Sequence, residues 1–133
     1  MGNCVFCTHD YEAIFEDETV AVVLHEDWAV RGHAMVVFKR HVENIADLTP
    51  SEWRHFATTY QTAERALLDL TGMDRAIVMK LGIATPHLHL HIYPVPAAWT
   101  REQVMNVIDA RTKAAYDARF VDALRETLTR RVD

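Results

Sequence analysis

Histidine and aliphatic residues alternate strictly from residue 87 to residue 92. His87, His89 and His91 occupy the odd positions, and aliphatic residues occupy the even ones. Because successive side chains of a β-strand point to opposite faces, the three imidazoles share one face and the aliphatic side chains share the other. A helix would rotate His89 away from the other two rings. The pattern therefore predicts a strand over residues 86–95, with a row of imidazoles on one face and core on the other.

Shorter apolar runs predict the rest of a sheet. Four further segments are apolar runs bounded by turn residues, namely 11–15, 19–25, 34–39 and 75–81. The first two are expected to form a hairpin around the acidic turn 16–18, and Gly82 ends the last one. Residues 27–32 are expected to form a loop.

The other segments have helical spacing. A helix start is predicted at residues 49–52. Thr49 offers a capping hydroxyl, Pro50 fits the first helical position, and the Glu52 carboxylate can accept the backbone N–H of Thr49. A stripe at helical spacing predicts a face that packs on the sheet, and Gly72 can end the helix; the stripe consists of Trp53, Phe56, Ala57, Tyr60, Ala63, Leu67 and Leu70. A second capping box at Thr100 and Gln103 predicts two further helices or one bent helix, with Asp117 as a candidate second cap.

Size and composition fit one domain spanning residues 1–133. Half of the 133 residues are hydrophobic and a quarter are charged, as in ordinary globular proteins. Antiparallel strands, a long helix between strand groups and helices at the end predict an α+β fold. No apolar run approaches the ~18 residues of a membrane span, and the first residues do not resemble a secretory leader, so we expect a cytoplasmic protein. The net charge of −5 argues against a broad nucleic-acid surface but not against a nucleotide pocket.

A row of three imidazoles can bind metal or act on phosphate, because imidazole serves as nucleophile, proton donor and metal ligand. Alternate residues of a strand are about 6.7 Å apart, too far for three rings to converge on one ion about 2 Å from each. The spacing therefore favours phosphate chemistry over a three-histidine metal centre. The alternative is a row of solvated histidines on an edge strand.

Cys4 and Cys7 are the two cysteines of the chain, and they do not form the disulfide framework of a secreted domain. Two thiolates from one turn supply half of a tetrahedral zinc site. A redox pair usually follows a strand and opens a helix, whereas this pair lies at the start of the sequence. Zinc, a redox pair and two reduced thiols remain open as interpretations.

Three motifs together resemble the histidine-triad (HIT) family of nucleotide hydrolases and transferases. The stretch from His87 to Tyr93 is similar to the family's triad, residues 31–44 to its Gly-His strand and Lys-x-His turn, and residues 4–7 to the zinc-binding opening of its Hint-like branch. The resemblance implies a HIT-like α+β fold with an antiparallel sheet of about five strands. It also implies a homodimer in which two subunits pair edge to edge.

The same resemblance implies a zinc site. Its ligands would be Cys4, Cys7, His41 and His87, at the positions that match those of Hint-like proteins. Zinc held in this way would be structural and would pin the first residues onto the sheet. His87 would then take no part in the chemistry.

Catalytic roles follow from the resemblance as well. His89, the middle histidine, would attack the α-phosphorus and form a nucleotidyl-histidine intermediate, and His91 would hydrogen-bond the phosphoryl oxygens or the bridging atom. His33, which follows Gly32, would lie beside the phosphate, with a purely structural half-buried histidine as the alternative. His25 and His55 lack such support and are expected on the surface.

The segment before the triad departs from the family pattern. The expected Asn and Gln are absent, and Lys80, Gly82 and Thr85 stand there as candidate substrate-binding residues. Lys80 could replace neutral donors with a charge or point to solvent, and Thr85 could donate its hydroxyl group.

The acidic residue that would hold the ribose is also out of register. His25 stands near that position, and Glu26 and Asp27 follow it. The sequence therefore predicts a nucleotide hydrolase or transferase acting on a dinucleoside polyphosphate or a nucleoside phosphoramidate, without deciding between them. The alternative is a non-catalytic nucleotide-binding or regulatory module.

Overall fold

The structure, a computed structural model, describes residues 4–25 and 27–132, so Glu26 lies outside the described residues. Its elements in chain order are β1 (Ala13–Glu16), β2 (Val20–Leu24), β3 (Ala34–Phe38), a 3-10 turn (Ile45–Asp47), α1 (Pro50–Thr71), β4 (Arg75–Met79), β5 (His89–Val95), α2 (Arg101–Ile108) and α3 (Ala118–Val132). The strands form one sheet in the order β1-β2-β3-β5-β4, and every neighbouring pair is antiparallel. The predicted α+β fold is confirmed.

All five strands are shorter than the sequence predicts, and the largest difference lies between β4 and β5. β4 ends at Met79, and β5 begins at His89 rather than at residue 86. Pro86 has no N–H to give to a ladder, and the N–H of Leu88 donates to the carbonyl oxygen of Val42 at 2.7 Å, outside the sheet. The segment 80–88 therefore runs as a loop between the two strands.

Helices α1 and α3 cover one face of the sheet, except at the edge strand β4, where Val78 is 51% exposed. Leu90 and Ile92 of β5 pack on this face with side chains from α1 and α3, and Ile92 is 0% exposed. The opposite face is covered at two places. Phe6 and its neighbours pack on β2 and β3, whereas Val107 of α2 packs beside Tyr93. This second face carries the imidazole row.

Helix α1 begins and ends as the sequence predicts. The N–H of Glu52 donates to Thr49 Oγ1 at 3.1 Å, the N–H of Thr49 donates to Glu52 Oε1 at 2.8 Å, and Gly72 ends the helix with a φ of 72°. Phe56, Ala63 and Leu67 are buried, as expected for a face against the sheet. Trp53 was expected on the same face, but it lies in the first turn and is 40% exposed, with its ring 6.3 Å from that of Phe56.

The last part of the chain forms two helices rather than one bent helix. Thr100 and Gln103 form the predicted capping box of α2. Asp117 is confirmed as a cap, because its Oδ1 accepts the N–H of Phe120 at 3.1 Å. Across the described ranges, none of the helices combines the length and apolarity that crossing a bilayer requires.

Candidate active site and metal centre

The imidazole row lies on the sheet face opposite α1. Leu88, Leu90 and Ile92 belong to the main core, so the predicted separation of histidines from aliphatic residues is observed. His87 and His89 are 1% and 8% exposed, and His91 is half-buried.

A cavity of about 790 Å³ lies beside His89 and His91. Met35 of β3 and Met79 of β4 are the register partners of His91 on either side, and both line the cavity. Most of its other walls are apolar side chains from residues 5–14, Leu24, and the loop after β4.

His89 has one ring nitrogen tied down and the other available. Its Nδ1–H donates to the carbonyl oxygen of His87 at 2.6 Å, which assigns the lone pair to Nε2. Burial lowers the pKa of His89, and the positive charges of Lys80 and His25 lower it further. A neutral ring with a free Nε2 is the form that can attack an electrophile. The ring is less exposed than a row on an open strand suggests, because Phe6 packs on it at 4.7 Å.

His33 lies behind His91 and does not line the cavity. The N–H of Ala29 donates to His33 Nδ1 at 3.4 Å, which leaves the proton of His33 on Nε2. Nε2 lies 3.0 Å from Nδ1 of His91 and donates to it. His91 then carries its own proton on Nε2 and can act as a donor. Burial lowers the pKa of His33 to about 2 and that of His91 to about 4, so both rings are neutral near pH 7.

His25 is not the surface residue that the sequence led us to expect. Its ring lines the cavity and stacks on His33, with ring centroids 4.7 Å apart and planes 8° apart. The signal for this contact is tertiary, because His25 follows β2 and His33 precedes β3 in the antiparallel pair. His55 is exposed and pairs with Asp17 at 2.7 Å, as a surface residue would.

The loop after β4 contributes two of the three predicted substrate contacts. Gly82 and Thr85 line the cavity, and Lys80 does not appear among the described lining residues, although its charge acts on His89. Asp10 and Glu12 also line the cavity. Within residues 4–25 and 27–132, no lysine or arginine lines it.

A second cluster adjoins the row and consists of Cys4, Cys7, His41 and His87. One donor atom from each lies within 4.8 Å of all the others. Cys7 Sγ is 3.0 Å from His41 Nδ1, Cys4 Sγ is 3.3 Å from His87 Nδ1, and the two Nδ1 atoms are 3.0 Å apart. Zinc bonds of about 2.3 Å to sulfur and about 2.0 Å to nitrogen separate tetrahedral ligand atoms by roughly 3.3 to 3.8 Å. The cluster could therefore bind a metal ion.

The orientation of His87 fits that purpose. Its Nε2–H donates to the carbonyl oxygen of Phe38 at 2.6 Å, so the Nδ1 lone pair faces the two thiols. Cys4 and Cys7 lie in a turn closed by the N–H of Thr8 on the carbonyl oxygen of Cys4 at 3.1 Å. A redox pair of this spacing normally opens a helix, but no helix follows this turn in the described residues.

Comparisons with known proteins agree with this arrangement. The protein named "Protein hit" from Bacillus subtilis is 28% identical over 103 residues, which are 69% of this chain and 70% of that protein. A Zn-bound histidine triad family protein from Mycobacterium smegmatis is 23% identical, with a TM-score of 0.71 and coverage of 98% of this chain and 96% of that one. A hypothetical histidine triad nucleotide-binding protein from Sulfolobus tokodaii is 21% identical, with a TM-score of 0.72 and coverage of 96% and 93%. The two structural likenesses show the fold.

The family comparison covers the histidines of the site, whereas Cys4 and Cys7 precede the matched range. The family model described as HIT domain matches residues 8–96, which include His33, His41 and the whole imidazole row. Because the match covers more than half of the sequence, this chain belongs to the HIT domain family.

Proposed function

We propose that this chain is a nucleotide hydrolase or transferase that acts at the α-phosphate of a nucleoside phosphoramidate or a dinucleoside polyphosphate. Membership of the HIT family supports a function in nucleotide binding, hydrolysis or transfer. The observation that carries the catalytic proposal is the state of His89, which lines the cavity with Nδ1 bound to the carbonyl oxygen of His87.

In the proposed reaction, Nε2 of His89 attacks the α-phosphorus and forms a P–N bond while the leaving group departs with the bonding electron pair. The His89 ring becomes cationic because Nε2 is now bonded to phosphorus while Nδ1 keeps its hydrogen. The carbonyl oxygen of His87, 2.6 Å away, stabilises that charge as it forms. Water then breaks the P–N bond, releases the nucleoside monophosphate and returns His89 to its neutral form.

His91 would serve the phosphoryl group as a hydrogen-bond donor. Its Nδ1 accepts from His33 at 3.0 Å, so its Nε2–H is available to an equatorial oxygen or to the bridging atom. We therefore propose His91 as a substrate contact and His33 as the residue that fixes its tautomer. Gly82 and Thr85 remain proposed substrate contacts, and Lys80 is proposed to act on the site through its charge.

We further propose that Cys4, Cys7, His41 and His87 hold a structural zinc ion. Zinc in this position would supply a crosslink between the first residues of the chain and the segments around His41 and His87. The two thiols and two Nδ1 atoms fill the four positions of a tetrahedral ion and leave no place for substrate.

The decisive experiment replaces the proposed nucleophile. His89→Ala should abolish hydrolysis of adenosine and guanosine 5′-phosphoramidates and of dinucleoside polyphosphates, because it removes the ring whose Nε2 is proposed to attack the α-phosphorus. His55→Ala, an exposed change remote from the cavity, is the matched control and should keep full turnover. Hydrolysis that survives in His89→Ala would refute the covalent mechanism.

A trapping experiment separates the enzyme from a binding module. Rapid acid-free quenching with a radiolabelled nucleotide should yield label on the intact protein and none on His89→Ala. A non-catalytic nucleotide-binding module is the second candidate, favoured by the lack of lysine or arginine among the described cavity-lining residues. That candidate predicts saturable nucleotide binding with no turnover and no trapped label.

The charge of the cavity bears on the choice between substrates. Asp10 and Glu12 line it, and Lys80 is a cation whose charge reaches His89. Glu12 is ion-paired with Arg125 at 3.3 Å, so Asp10 is the lining carboxylate that no described ion pair compensates. A polyphosphate chain would bring several negative charges to these carboxylates, whereas the amine released from a phosphoramidate adds none. We propose phosphoramidates as the preferred class.

Finally, we propose that the chain forms a homodimer. β4 is an edge strand of the sheet, and three large apolar residues on it and after it are exposed, Val78 by 51%, Leu81 by 59% and Ile83 by 82%. Open edges and exposed apolar side chains favour pairing with another strand. Light scattering should give a mass near twice the 15.3 kDa of the chain.

A further inference from the structure

Phe6 joins the two clusters of the site. It stands between Cys4 and Cys7 in the sequence and is 5% exposed. Its ring centroid lies 4.7 Å from that of His89 and 5.5 Å from that of His87, with interplanar angles of 49° and 55°. One side chain of the cysteine turn thus contacts both the proposed nucleophile and a residue of the metal cluster.

The position of Phe6 depends on how its turn is anchored. Residues 4–12 belong to no strand or helix, and the hydrogen bonds that close the turn are internal, from Thr8 N–H to the Cys4 carbonyl oxygen and from Asp10 N–H to the Val5 carbonyl oxygen. This segment is attached by the apolar packing of Val5, Phe6 and Tyr11 on β2 and β3, by the contacts of the two thiols with His41 and His87, and by the ion pair of Glu12 with Arg125 of α3. Cys4 and Cys7 flank Phe6 in the sequence, so fixing the two thiols restrains the backbone on both sides of the ring.

We infer that Phe6 is a positioning residue through which the cluster of Cys4, Cys7, His41 and His87 controls the orientation of His89. The hydrogen bond from His89 Nδ1 to the carbonyl oxygen of His87 holds one point of the imidazole. Rotation about that point is limited by what packs on the ring face, and Phe6 occupies this position. A properly aimed Nε2 requires both restraints, because misplacing a reacting atom by about 1 Å costs up to roughly 100-fold in rate.

The same turn forms one wall of the cavity. Val5 and Phe6 line it, together with Asp10, Tyr11 and Glu12 a few residues later. Loss of the anchor would release this wall and the ring that rests on His89 together. The cluster of Cys4, Cys7, His41 and His87 would in this way stabilise both the fold and the geometry of the proposed active site.

Three variants of the zinc-loaded protein test the inference. Phe6→Ala removes the ring, Phe6→Leu keeps apolar bulk at the same place, and Val121→Ala in α3 is a core control remote from His89. We expect Phe6→Ala to lower kcat about three- to tenfold, the effect of one aromatic contact, with a smaller change in KM and an unchanged zinc content. Phe6→Leu should recover most of kcat, and Val121→Ala should lose stability without losing kcat.

A thermodynamic cycle tests the coupling itself. kcat is measured for the wild type and for Phe6→Ala, each with zinc and after chelation, with circular dichroism confirming that the sheet persists. If Phe6 transmits the state of the cluster, chelation costs less in Phe6→Ala than in the wild type, because the contact it would break is already gone. Equal losses in both backgrounds, or an unchanged kcat in Phe6→Ala, would overturn the inference.

The kcat measurements rest on the proposed function, so an NMR experiment is needed to test the role of Phe6 independently of turnover. In the zinc-loaded protein the ring protons of His89 should show nuclear Overhauser contacts to Phe6 and a ring-current shift that chelation and Phe6→Ala both remove. Absence of turnover in the wild type would refute the proposed function while these signals still decide the role of Phe6. Persistence of the shift after chelation, or zinc-free protein that binds no zinc on titration, would refute the coupling.

Discussion

Acid should destabilise this protein through His33 and His91. Burial lowers the pKa of His33 to about 2, with the charges of His25 and His91 adding to the effect, and burial lowers the pKa of His91 to about 4. In the unfolded chain both rings take up a proton near pH 6.5. Below that pH the unfolded state therefore binds more protons than the folded state, and the free energy of unfolding falls as the pH falls.

The size of the effect follows from the more deeply buried ring. His33 is 3% exposed and stays neutral far below the point at which its unfolded form is charged. Each pH unit in that window is worth about 1.4 kcal/mol, so His33 alone removes about 2 kcal/mol between neutral pH and pH 5. His91 acts in the same direction. A domain has about 5–15 kcal/mol of stability in total, so the loss is a large share of it.

Urea unfolding followed by tryptophan fluorescence at about pH 7.5 and about pH 5 measures this loss. His33→Asn removes the titrating ring, and its acid-induced loss should be smaller than that of the wild type by about 2 kcal/mol. Groups that are the same in both proteins cancel in the difference. His9→Asn, at an exposed position with a φ of 59° that asparagine tolerates, is the control and should keep the full loss. An equal loss in His33→Asn and the wild type would refute the reasoning.

Other substitutions give distinct expectations. Gly32→Ala should lower the free energy of unfolding, measured in urea, by about 2–4 kcal/mol. Gly32 has a φ of 86°, and a Cβ there would lie 3.1 Å from Thr71 Cγ2. Gly72→Ala is the control and should cost less, because Gly72 has a similar φ of 72° but no atom close to the added Cβ. Cys7→Ser should lower the zinc content after dialysis, measured by elemental analysis, since it removes one of the four proposed ligands. An unchanged zinc content would exclude Cys7 from the site. Asp10→Asn should raise kcat/KM for a dinucleoside polyphosphate relative to a phosphoramidate, because it removes the lining carboxylate that is proposed to repel phosphate, and an unchanged ratio would contradict the substrate preference.

Local pattern was sufficient to predict most of the fold. The alternation at β5 predicts which side chains enter the core, and the capping boxes at Thr49 and Thr100 predict where two helices begin, because both signals depend on neighbours within a few residues. The bounds of β4 and β5 were less predictable, since the pairing of Leu88 with Val42 is a long-range contact.

The site was predictable where motifs specify it and not where tertiary packing does. The four residues of the metal cluster and the imidazole row follow from spacing and resemblance, and their chemical roles stay predictions. The stacking of His25 on His33 depends on how β2 and β3 pair. The position of Phe6 over His89 and the acidic cavity wall at Asp10 and Glu12 arise from the segment before β1, which folds over the sheet. Nothing in the local sequence around those residues indicates what they will touch.

The ladder positions of β5 also limit how this sequence can change. Val37 of β3 stands opposite His89, Met35 stands opposite His91, and β4 pairs on the other side. A register shift of β5 by one residue would turn every imidazole into the hydrophobic core beneath α1 and would turn the leucines and the isoleucine toward the cavity. Single substitutions can therefore change the cavity walls one side chain at a time, whereas an insertion or deletion within this strand would displace the proposed nucleophile and disrupt the core in one step.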